Sequence, residues 1–490
     1  MRLQFCAGLS ALMLLSAGSG SGAAAAREQS LPVSAAARGD VEAYVAAVND
    51  KGETAADVFR DKHSAPALLA APRQVFVNFF TSQHRVLQGV DLLEIRMRDA
   101  DTVVALMRGH LYGSLVGVTM NLDGTPEAKV VDFDPGPAPV WSPPANERLS
   151  QADVGARALA LAAKGCQAGV FSGAVLVARG SEVLAKTACG QANRRYEVLN
   201  TVKTKINLGS MDKMFTAVSA MQLVEAGKLS LDDSLDKYLD DTWLPKDISS
   251  KIKIRHLLTH TSGLGSFIDN DFTKSSRRDF VKLDDYKRLI HGETLAFEPG
   301  SSYAYSNTGM FLVGAVIEKV SGQDYFDYVR EHVFKPAGMT DTGCWPMEQP
   351  VPDLAMGYAW APASPYGWRE NSFQYLYRGT PAGGGYSTVD DLYRFAIALE
   401  QDRLVKRRSR DFLWTDHPPN DYGAGFMITN SVAGPIVGHE GFFNGVSAQL
   451  EIYPDRGFIV AILGNQDWAA PGLGDAIRSL IASSAPSPSR

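Results

Sequence analysis

The stretch "INLGSMDKMFTAVSAMQLVEAG", residues 206–227, decides the fold prediction. A short apolar, strand-like entry ends at Leu208-Gly209, and Ser210 then opens a predicted helix. Lys213 follows on the same face, because residues three apart on a helix are neighbours. Most of the helix is Met, Phe, Val, Ala and Leu, so we predict that it is buried. The pattern therefore places a serine hydroxyl beside an amine at a helix N-terminus.

A serine and a lysine in poorly solvated surroundings suit nucleophilic catalysis. Serine is a poor nucleophile and needs a base. Lysine can serve when it is neutral, and burial favours the neutral amine. The helix N-terminus adds unpaired N–H groups that favour a developing oxyanion. Ser-x-x-Lys also occurs by chance, and the alternative interpretation is an N-capping serine with a surface lysine.

Two later stretches favour the catalytic interpretation. "FEPGSSYAYSNTGMFLVG" places Tyr305-Ser306-Asn307 just ahead of an apolar helix, where a phenol and an amide can point at one place. "IVGHEGFFNGVSAQLEIYPD" places His439-Glu440-Gly441 on or beside a late strand. Gly441 has no Cβ, so a substrate backbone can approach the strand there.

The motifs "GSMDKMFTA", "YSN" and "HEG", in this order, resemble the serine β-lactamase and penicillin-binding-protein superfamily. The nearest likeness is to its class-C-like branch, which includes D,D-peptidases, D-aminopeptidases and carboxylesterases. It covers about Cys166 to Ile481, and "IKIRHLLTHTSGL" and "PAGGGYSTVDDLYRFA" support it. The resemblance implies an α+β fold, with a mainly antiparallel sheet flanked by helices and a helical subdomain.

The resemblance also implies a role for each motif residue and no cofactor or metal. Ser210 would form an acyl-enzyme, Lys213 would ease its deprotonation, and Tyr305 would act as the general base or relay to it. The N–H groups of Ser210 and Phe442 would form the oxyanion hole. The implied substrate-binding positions are Asn307, His439, Glu440, Gly441 and Phe442.

The third motif departs from the Lys-Thr-Gly of most β-lactamases, since this chain has His-Glu-Gly. His439 is largely neutral near pH 7, and Glu440 would add a negative charge where a substrate carboxylate lies. We therefore expect inefficient β-lactam hydrolysis. Neutral or amine-bearing esters and amides should be preferred over substrates that end in a free carboxylate.

The chain order predicts two domains after an export signal. Residues 1–26 read as a signal peptide, and 27–134 as helices followed by strands, an α+β unit that resembles NTF2-like domains. Residues 135–148 read as a Pro-rich linker, 149–483 as the hydrolase-like domain and 484–490 as a disordered tail. A hairpin turning at Gly180-Ser181 and late strands around Asp455-Arg456-Gly457 predict one sheet completed by both ends of the second domain.

Bulk composition limits the partners. The 490 residues have a net charge of −6 and 45% hydrophobic residues, which speaks against nucleic acid and for sizeable cores. We expect a periplasmic or secreted protein with a small-molecule ester, amide or peptide substrate and no membrane span in the mature chain. Cys166 and Cys189 flank the hairpin and are the favoured disulfide pair. Three buried thiols are the alternative, and the sequence does not indicate the oligomeric state.

Competing functions are less favoured. His256 and His260 are spaced as in a zinc-protease helix, but Leu257 stands where that motif needs glutamate, so "HTSGL" is predicted to be a loop near the active site. No Gly-x-Ser-x-Gly elbow occurs. The alternative from another class is a non-catalytic protein that binds cell-wall peptides or a partner on the same fold.

Overall fold

The computed structural model describes residues 31–50, 53–137, 148–268, 270–361, 364–417, 420–431 and 433–484. The chain divides into two compact units. The first comprises the chain up to Leu149 with Ala160–Val170 and Pro471–Ser484, and the second comprises Ser150–Leu159 and Phe171–Ala470. The predicted signal peptide and residues 485–490 of the predicted tail lie outside the described residues.

In the first unit, helices precede an antiparallel sheet of strand order β1-β2-β3-β4. The helices are α1 (Ala35–Asn49), α2 (Thr54–Val58), α3 (Pro66–Leu69) and α4 (Arg73–Leu87), with a π-helical turn at Phe59–His63. The strands are β1 (Val90–Met97), β2 (Thr102–Gly109), β3 (Leu115–Leu122) and β4 (Val130–Pro137). Tyr44, Phe59 and Phe80 pack edge to face in its core. The predicted α+β architecture is confirmed, while the likeness to NTF2-like domains stays a prediction.

Strand β4 extends three residues into the predicted linker. Pro135, Gly136 and Pro137 pair with Val118, Gly117 and Val116 of β3. The remaining linker residues 138–147 lie outside the described residues. The division into two units also differs from the predicted domain boundaries, because residues 160–170 and 471–484 belong to the first unit.

The second unit is built on an antiparallel six-stranded sheet of order β13-β14-β15-β16-β5-β6. Its early hairpin and its late strands join where β5 pairs with β16, which confirms the predicted sheet. Strand β16, "FIVAILG", is an unbroken apolar run because every residue in it is buried. The strands are β5 (Gly173–Arg179), β6 (Glu182–Cys189), β7 (Gln191–Asn193), β8 (Val198–Leu199), β9 (Ile206–Asn207), β10 (Tyr358–Trp360), β11 (Trp368–Glu370), β12 (Tyr386–Ser387), β13 (Met427–Ser431), β14 (Gly434–Phe443), β15 (Val446–Tyr453) and β16 (Phe458–Gly464).

Helices α11, α12 and α15 pack against α6 in the second unit. The helices of the rest of the chain are α5 (Gln151–Gln167), α6 (Asp212–Glu225), α7 (Lys246–Ser249), α8 (Ile254–Leu258), α9 (Asn270–Lys274), α10 (Lys287–Ile290), α11 (Asn307–Ser321), α12 (Tyr325–Val329), α13 (Lys335–Ala337), α14 (Val389–Glu400), α15 (Arg407–Leu413) and α16 (Pro471–Ala482), of which α16 belongs to the first unit. Short 3-10 turns occupy Gly209–Met211, Leu235–Lys237, Arg277–Asp279 and Leu283–Tyr286, and a π-helical turn occupies Arg330–Phe334. Within the described ranges, no helix has both the length and the apolarity needed to cross a membrane.

The cysteines in the described part of the chain are in two chemical states, disulfide-bonded and free. Cys166 and Cys189 are disulfide-bonded, whereas Cys344 is a free thiol. Burial raises the pKa of the Cys344 thiol well above its ordinary value, so it stays protonated and unreactive at neutral pH. The alternative of three buried thiols is therefore wrong for the described residues.

Phe215 fixes α6 in the core, so its removal should destabilise the second unit. The side chain is 1% exposed, and its ring lies edge to face with Phe334 at 5.0 Å and Phe395 at 4.8 Å between centroids. Phe215→Ala should lower the free energy of unfolding by about 3–5 kcal/mol, because it leaves a cavity. Phe373, which is 89% exposed, provides the matched control. Denaturant titration should show little change for Phe373→Ala, and equal losses would contradict the assigned core.

Candidate active site

Ser210 lies in the tight turn that leads into α6. The 3-10 turn Gly209–Met211 carries it, and the α-helix begins only at Asp212. The prediction that Ser210 itself opens the helix is therefore wrong by two residues. The turn is closed by a hydrogen bond from the Met211 N–H to the Leu208 carbonyl at 3.2 Å, which is the i→i+3 spacing of a 3-10 turn, and Gly209 within it has a left-handed backbone with φ 52°. The turn leaves Ser210 half-buried while the residues on both sides of it are buried.

Lys213 is fully buried and held by oxygen atoms from two other segments. Its Nζ donates to Asn307 Oδ1 at 2.9 Å and to the Ala382 carbonyl at 2.5 Å. Burial lowers the pKa of Lys213 to about 7, and the nearby Asp212 carboxyl opposes that shift. A neutral amine has two N–H donors and one lone pair. Because both donors have acceptors here, the lone pair is left free to accept a proton.

Tyr305 connects the serine to the lysine. The Ser210 side chain lies close enough to the Tyr305 phenol to favour its ionised form, and the Tyr305 ring centroid is 4.8 Å from Lys213 Nζ. Burial raises the pKa of Tyr305 above its ordinary value, and the neighbouring Ser210 side chain only partly offsets this. The phenol therefore keeps its proton at neutral pH.

Asp212 is a second buried charge that the sequence analysis missed. It is 2% exposed, and its Oδ2 accepts the Gly385 N–H at 2.5 Å. Burial raises the pKa of this carboxyl to about 7, while that N–H bond and the Lys213 amine lower it. Asp212 thereby holds the glycine-rich segment whose Ala382 carbonyl accepts from Lys213. In the sequence, the one feature that could have indicated Asp212 is its position between Ser210 and Lys213.

The third motif lies where β14 extends beyond its pairing with β13. Strand β13 pairs with β14 only as far as Met427 opposite Gly438, whereas β15 pairs with it through Phe443. From His439 onward the other edge faces the turn that carries Ser210. A Cβ on Gly441 would lie 1.8 Å from the Leu208 carbonyl oxygen, so the strand and the turn approach each other only because this residue is glycine.

The backbone N–H of Phe442 points outward from this edge of β14, away from β15. The two-residue turn Asn444-Gly445 joins the paired residues Phe443 and Val446. In an antiparallel ladder, pairs that exchange hydrogen bonds alternate with pairs that do not, and the pair closing such a turn is bonded. Phe443 and Gly441 thus bond to β15, and Phe442 presents its N–H to the opposite side. A Cβ on Gly209 would lie 2.9 Å from that nitrogen, which places it beside Ser210.

His439 is neutral and uses both ring nitrogens inside the protein. Nδ1 donates to the Glu440 carbonyl at 2.5 Å, and Nε2 accepts from the Tyr422 hydroxyl at 3.1 Å. Burial lowers the pKa of His439 to about 3, and Lys213 adds to that shift. Tyr422, 2% exposed, was missed because nothing in "DYGAGF" marks it.

Glu440 does not join the group. Successive side chains on a strand point to opposite faces, so Glu440 and the Phe442 ring lie on the face opposite His439 and Gly441. The expectation that the Glu440 carboxylate lies beside a substrate carboxylate stays a prediction. The structure brings together the side chains of Ser210, Lys213, Tyr305, Asn307 and His439, with Gly441 and the Phe442 backbone.

Within the described part of the chain, no three His, Cys, Asp or Glu side chains are grouped to hold a metal ion. His256 and His260 use their Nδ1 atoms separately, to accept the N–H of Lys253 and of Ser306. As predicted, the "HTSGL" loop packs near the site, since the His260 ring contacts Tyr305 with 4.2 Å between centroids.

Comparison with known proteins identifies the family. Residues 152–482 match the family model described as Beta-lactamase, and the chain belongs to this family of serine hydrolases. Penicillin-binding protein 4* of Bacillus subtilis (strain 168) is 31% identical over 61% of this chain and 68% of its own length. A putative penicillin-binding protein of the same strain is 29% identical over 53% of this chain. The chain spans 62% of that relative, which is less than two thirds.

The solved structures include a D-stereospecific amidohydrolase from Streptomyces sp. that has the same fold. It superposes with a TM-score of 0.53 at 26% identity, over 62% of this chain and 92% of that chain. The β-lactamase-like fold and the superfamily resemblance predicted from the motifs are thus confirmed.

The Lys213 pKa leads to a pH prediction. The rate at which a fluorophosphonate labels Ser210 should rise as the pH rises through about 7, because the neutral amine is the form that accepts a proton. Asp212→Asn removes the negative charge that favours the Lys213 ammonium. The rise of the labelling rate with pH should therefore shift to lower pH by roughly one unit. Asp411→Asn, whose carboxylate is 60% exposed, is the control. If the pH at which the labelling rate rises is the same in Asp212→Asn as in the wild type, the proposed interaction between Asp212 and Lys213 is contradicted.

Proposed function

We propose that this protein is a hydrolase whose Ser210 forms an acyl-enzyme with an ester, an amide or a D-amino-acid peptide. The observation that carries the proposal is the state of Lys213. Its amine is fully buried, its pKa is lowered to about 7, and both N–H groups of its neutral form have acceptors. The neutral form of such an amine already makes its two hydrogen bonds. It is therefore suited to accept a proton from a neighbouring hydroxyl.

In the proposed acylation step, Ser210 Oγ attacks the carbonyl carbon and loses its proton. Lys213 is the final acceptor, and the Tyr305 phenol relays the proton, because its raised pKa disfavours a free phenolate. The carbonyl oxygen becomes an oxyanion that accepts hydrogen bonds from the Ser210 and Phe442 N–H groups. Donors fixed in advance on a turn and a strand stabilise that charge without reorganisation.

In the second half of the reaction, the tetrahedral intermediate collapses and the bond to the leaving group breaks. The leaving oxygen or nitrogen takes the proton back through Tyr305. Water then attacks the acyl carbon and Lys213 accepts a proton from that water. Lys213 passes this proton through Tyr305 to Ser210 Oγ as the bond to the acyl group breaks and the acid departs. Asn307 contributes by fixing the direction of the Lys213 amine.

The third motif supports a substrate without a free carboxylate. His439 is neutral, and Glu440 and Tyr422 occupy its two nitrogens, so it offers no cation to a carboxylate. The similarity to a D-stereospecific amidohydrolase supports amides of D-amino acids among the substrates. Penicillin-binding relatives make acylation by a β-lactam compatible with the proposal, even where turnover is slow.

Export remains part of the proposal. The disulfide-bonded state of Cys166 and Cys189 supports an oxidising compartment, because disulfides persist mainly in exported proteins. We propose that the protein acts in the periplasm or outside the cell.

Removal of the nucleophile tests the acyl-enzyme. A fluorophosphonate should add one label, on the peptide that contains Ser210, and Ser210→Ala should abolish labelling and ester hydrolysis while the protein stays folded. Ser266→Ala is a matched control, because Ser266 Oγ accepts from Asn307 at 3.1 Å and lies near the reaction. Label on another serine, or no label on the folded wild-type protein, would overturn the proposal and favour a binding role.

Substrate charge tests the third motif. We expect kcat/KM for a chromogenic cephalosporin to be at least about tenfold below that for a short p-nitrophenyl ester, because a charge-assisted hydrogen bond to its carboxylate is lacking. A D-alanine amide should be cleaved with an efficiency between the two. Glu440→Gln should leave the ratios unchanged, because this side chain lies on the other face. The interpretation is wrong if the cephalosporin is the best substrate.

A further inference from the structure

His260 is a buried histidine outside the predicted motifs. It follows α8 in "LLTHTSGL", is 0% exposed, and has a left-handed backbone with φ 56°. For a residue other than glycine this conformation is strained and persists only where the surroundings enforce it. Strain of this kind is typical of functional sites, so the contacts of this residue are informative.

Both hydrogen-bond acceptors of His260 bind the segment that carries Tyr305. Its backbone carbonyl accepts the Ala304 N–H at 2.9 Å, and its Nδ1 accepts the Ser306 N–H at 3.1 Å. One residue therefore holds the amides immediately before and after Tyr305. The peptide units that set the direction of the phenol are fixed on both sides.

The His260 ring also supports the Tyr305 ring directly. The two centroids are 4.2 Å apart, and Tyr422 lies against the ring at 4.5 Å. Tyr303 contacts it edge to face at 6.1 Å. Tyr422 in turn donates to His439, so the ring lies between the second and third motifs.

The protonation state of His260 follows from these contacts. A nitrogen that accepts an N–H carries no hydrogen, so the neutral ring has its proton on Nε2. Burial lowers the pKa of His260 well below its ordinary value, and the nearby Lys213 and His439 side chains lower it further because their protonated forms would repel a charged ring. Among the described residues Nε2 has no hydrogen-bond partner. Burial of the His260 ring therefore leaves its Nε2–H donor without an acceptor.

We propose that His260 is a positioning residue, which holds the Tyr305 phenol at the Ser210 hydroxyl through the amides of Ala304 and Ser306. It does not touch the substrate or the reacting atoms. The role rests on the proposed acyl-enzyme chemistry and adds to it a residue outside the three motifs. Its loss should slow acylation without weakening substrate binding.

Two substitutions separate this role from simple packing. His260→Gly keeps the left-handed backbone and its carbonyl but removes the ring and Nδ1. His260→Asn tolerates the same backbone and keeps a side-chain acceptor near the Ser306 N–H. His256→Asn is the control, since His256 belongs to the same segment but accepts from Lys253.

For a p-nitrophenyl ester, kcat of His260→Gly should fall about 10- to 100-fold, because displacement of a catalytic group by about 1 Å has effects of this size. KM should change less than about twofold. His260→Asn should recover most of kcat, and His256→Asn should match the wild type. Long incubation with a fluorophosphonate should still label Ser210 fully in every folded variant.

Three results would overturn the proposal: a folded His260→Gly enzyme with wild-type kcat, an equal loss in a folded His260→Asn enzyme, or a loss that appears only in KM. If His260→Gly does not fold, His260→Asn is the remaining test. This variant is expected to keep the wild-type KM and to lose less than about threefold in kcat. Failure of the proposed function looks different, since the wild-type enzyme itself would then neither be labelled nor turn over the ester.

Discussion

The burial of one amine is the constraint on which the arrangement of the second unit depends. Lys213 lies on the first turn of α6, where an ammonium would carry a large desolvation cost. The protein reduces this cost with the Asn307 amide oxygen, the Ala382 carbonyl and the Tyr305 ring face. These groups come from two segments far from Lys213 in the sequence, so the fold must bring α6, the start of α11 and the glycine-rich segment to one point.

The sheet contributes rigidity and an edge. Strands β15 and β16 are buried on both faces, and β14 pairs with β15 and extends beyond its last pair with β13 at Gly438. The turn that carries Ser210 approaches this edge at Gly441, where no side chain fits. An oxyanion hole formed by two backbone amides needs such an approach, because its donors must be fixed before the charge develops.

Burial shifts the titratable groups near the nucleophile toward their neutral forms: the pKa values of Lys213 and His439 are lowered and that of Tyr305 is raised. A proton transfer from Ser210 to the neutral Lys213 amine would create two opposite charges, which the surrounding hydrogen-bond donors and acceptors would have to stabilise. The same neutrality removes the attraction that a substrate carboxylate would need. Reactivity and substrate preference therefore have a common physical cause.

The sequence by itself determined the family, the sheet with its two hairpins and the side chains of the first two motifs. The family follows from the resemblance of the three ordered motifs, whereas the sheet follows from continuous or alternating apolar patterns with turn residues between them. It also predicted the loop at His260, although not the two bonds that this residue makes around Tyr305.

Only the tertiary structure decided which of these residues act together. The start of α6 shifted by two residues because Gly209–Met211 form a 3-10 turn closed by the Met211 N–H and the Leu208 carbonyl. Glu440 lies on the opposite face because the register of β14 places His439 and Gly441 toward the turn. Tyr422, Asp212 and the Ala382 carbonyl became visible only when segments far apart in sequence met. The physical reason is that burial shifts a pKa and selects a hydrogen-bond partner, and burial depends on the whole packed chain.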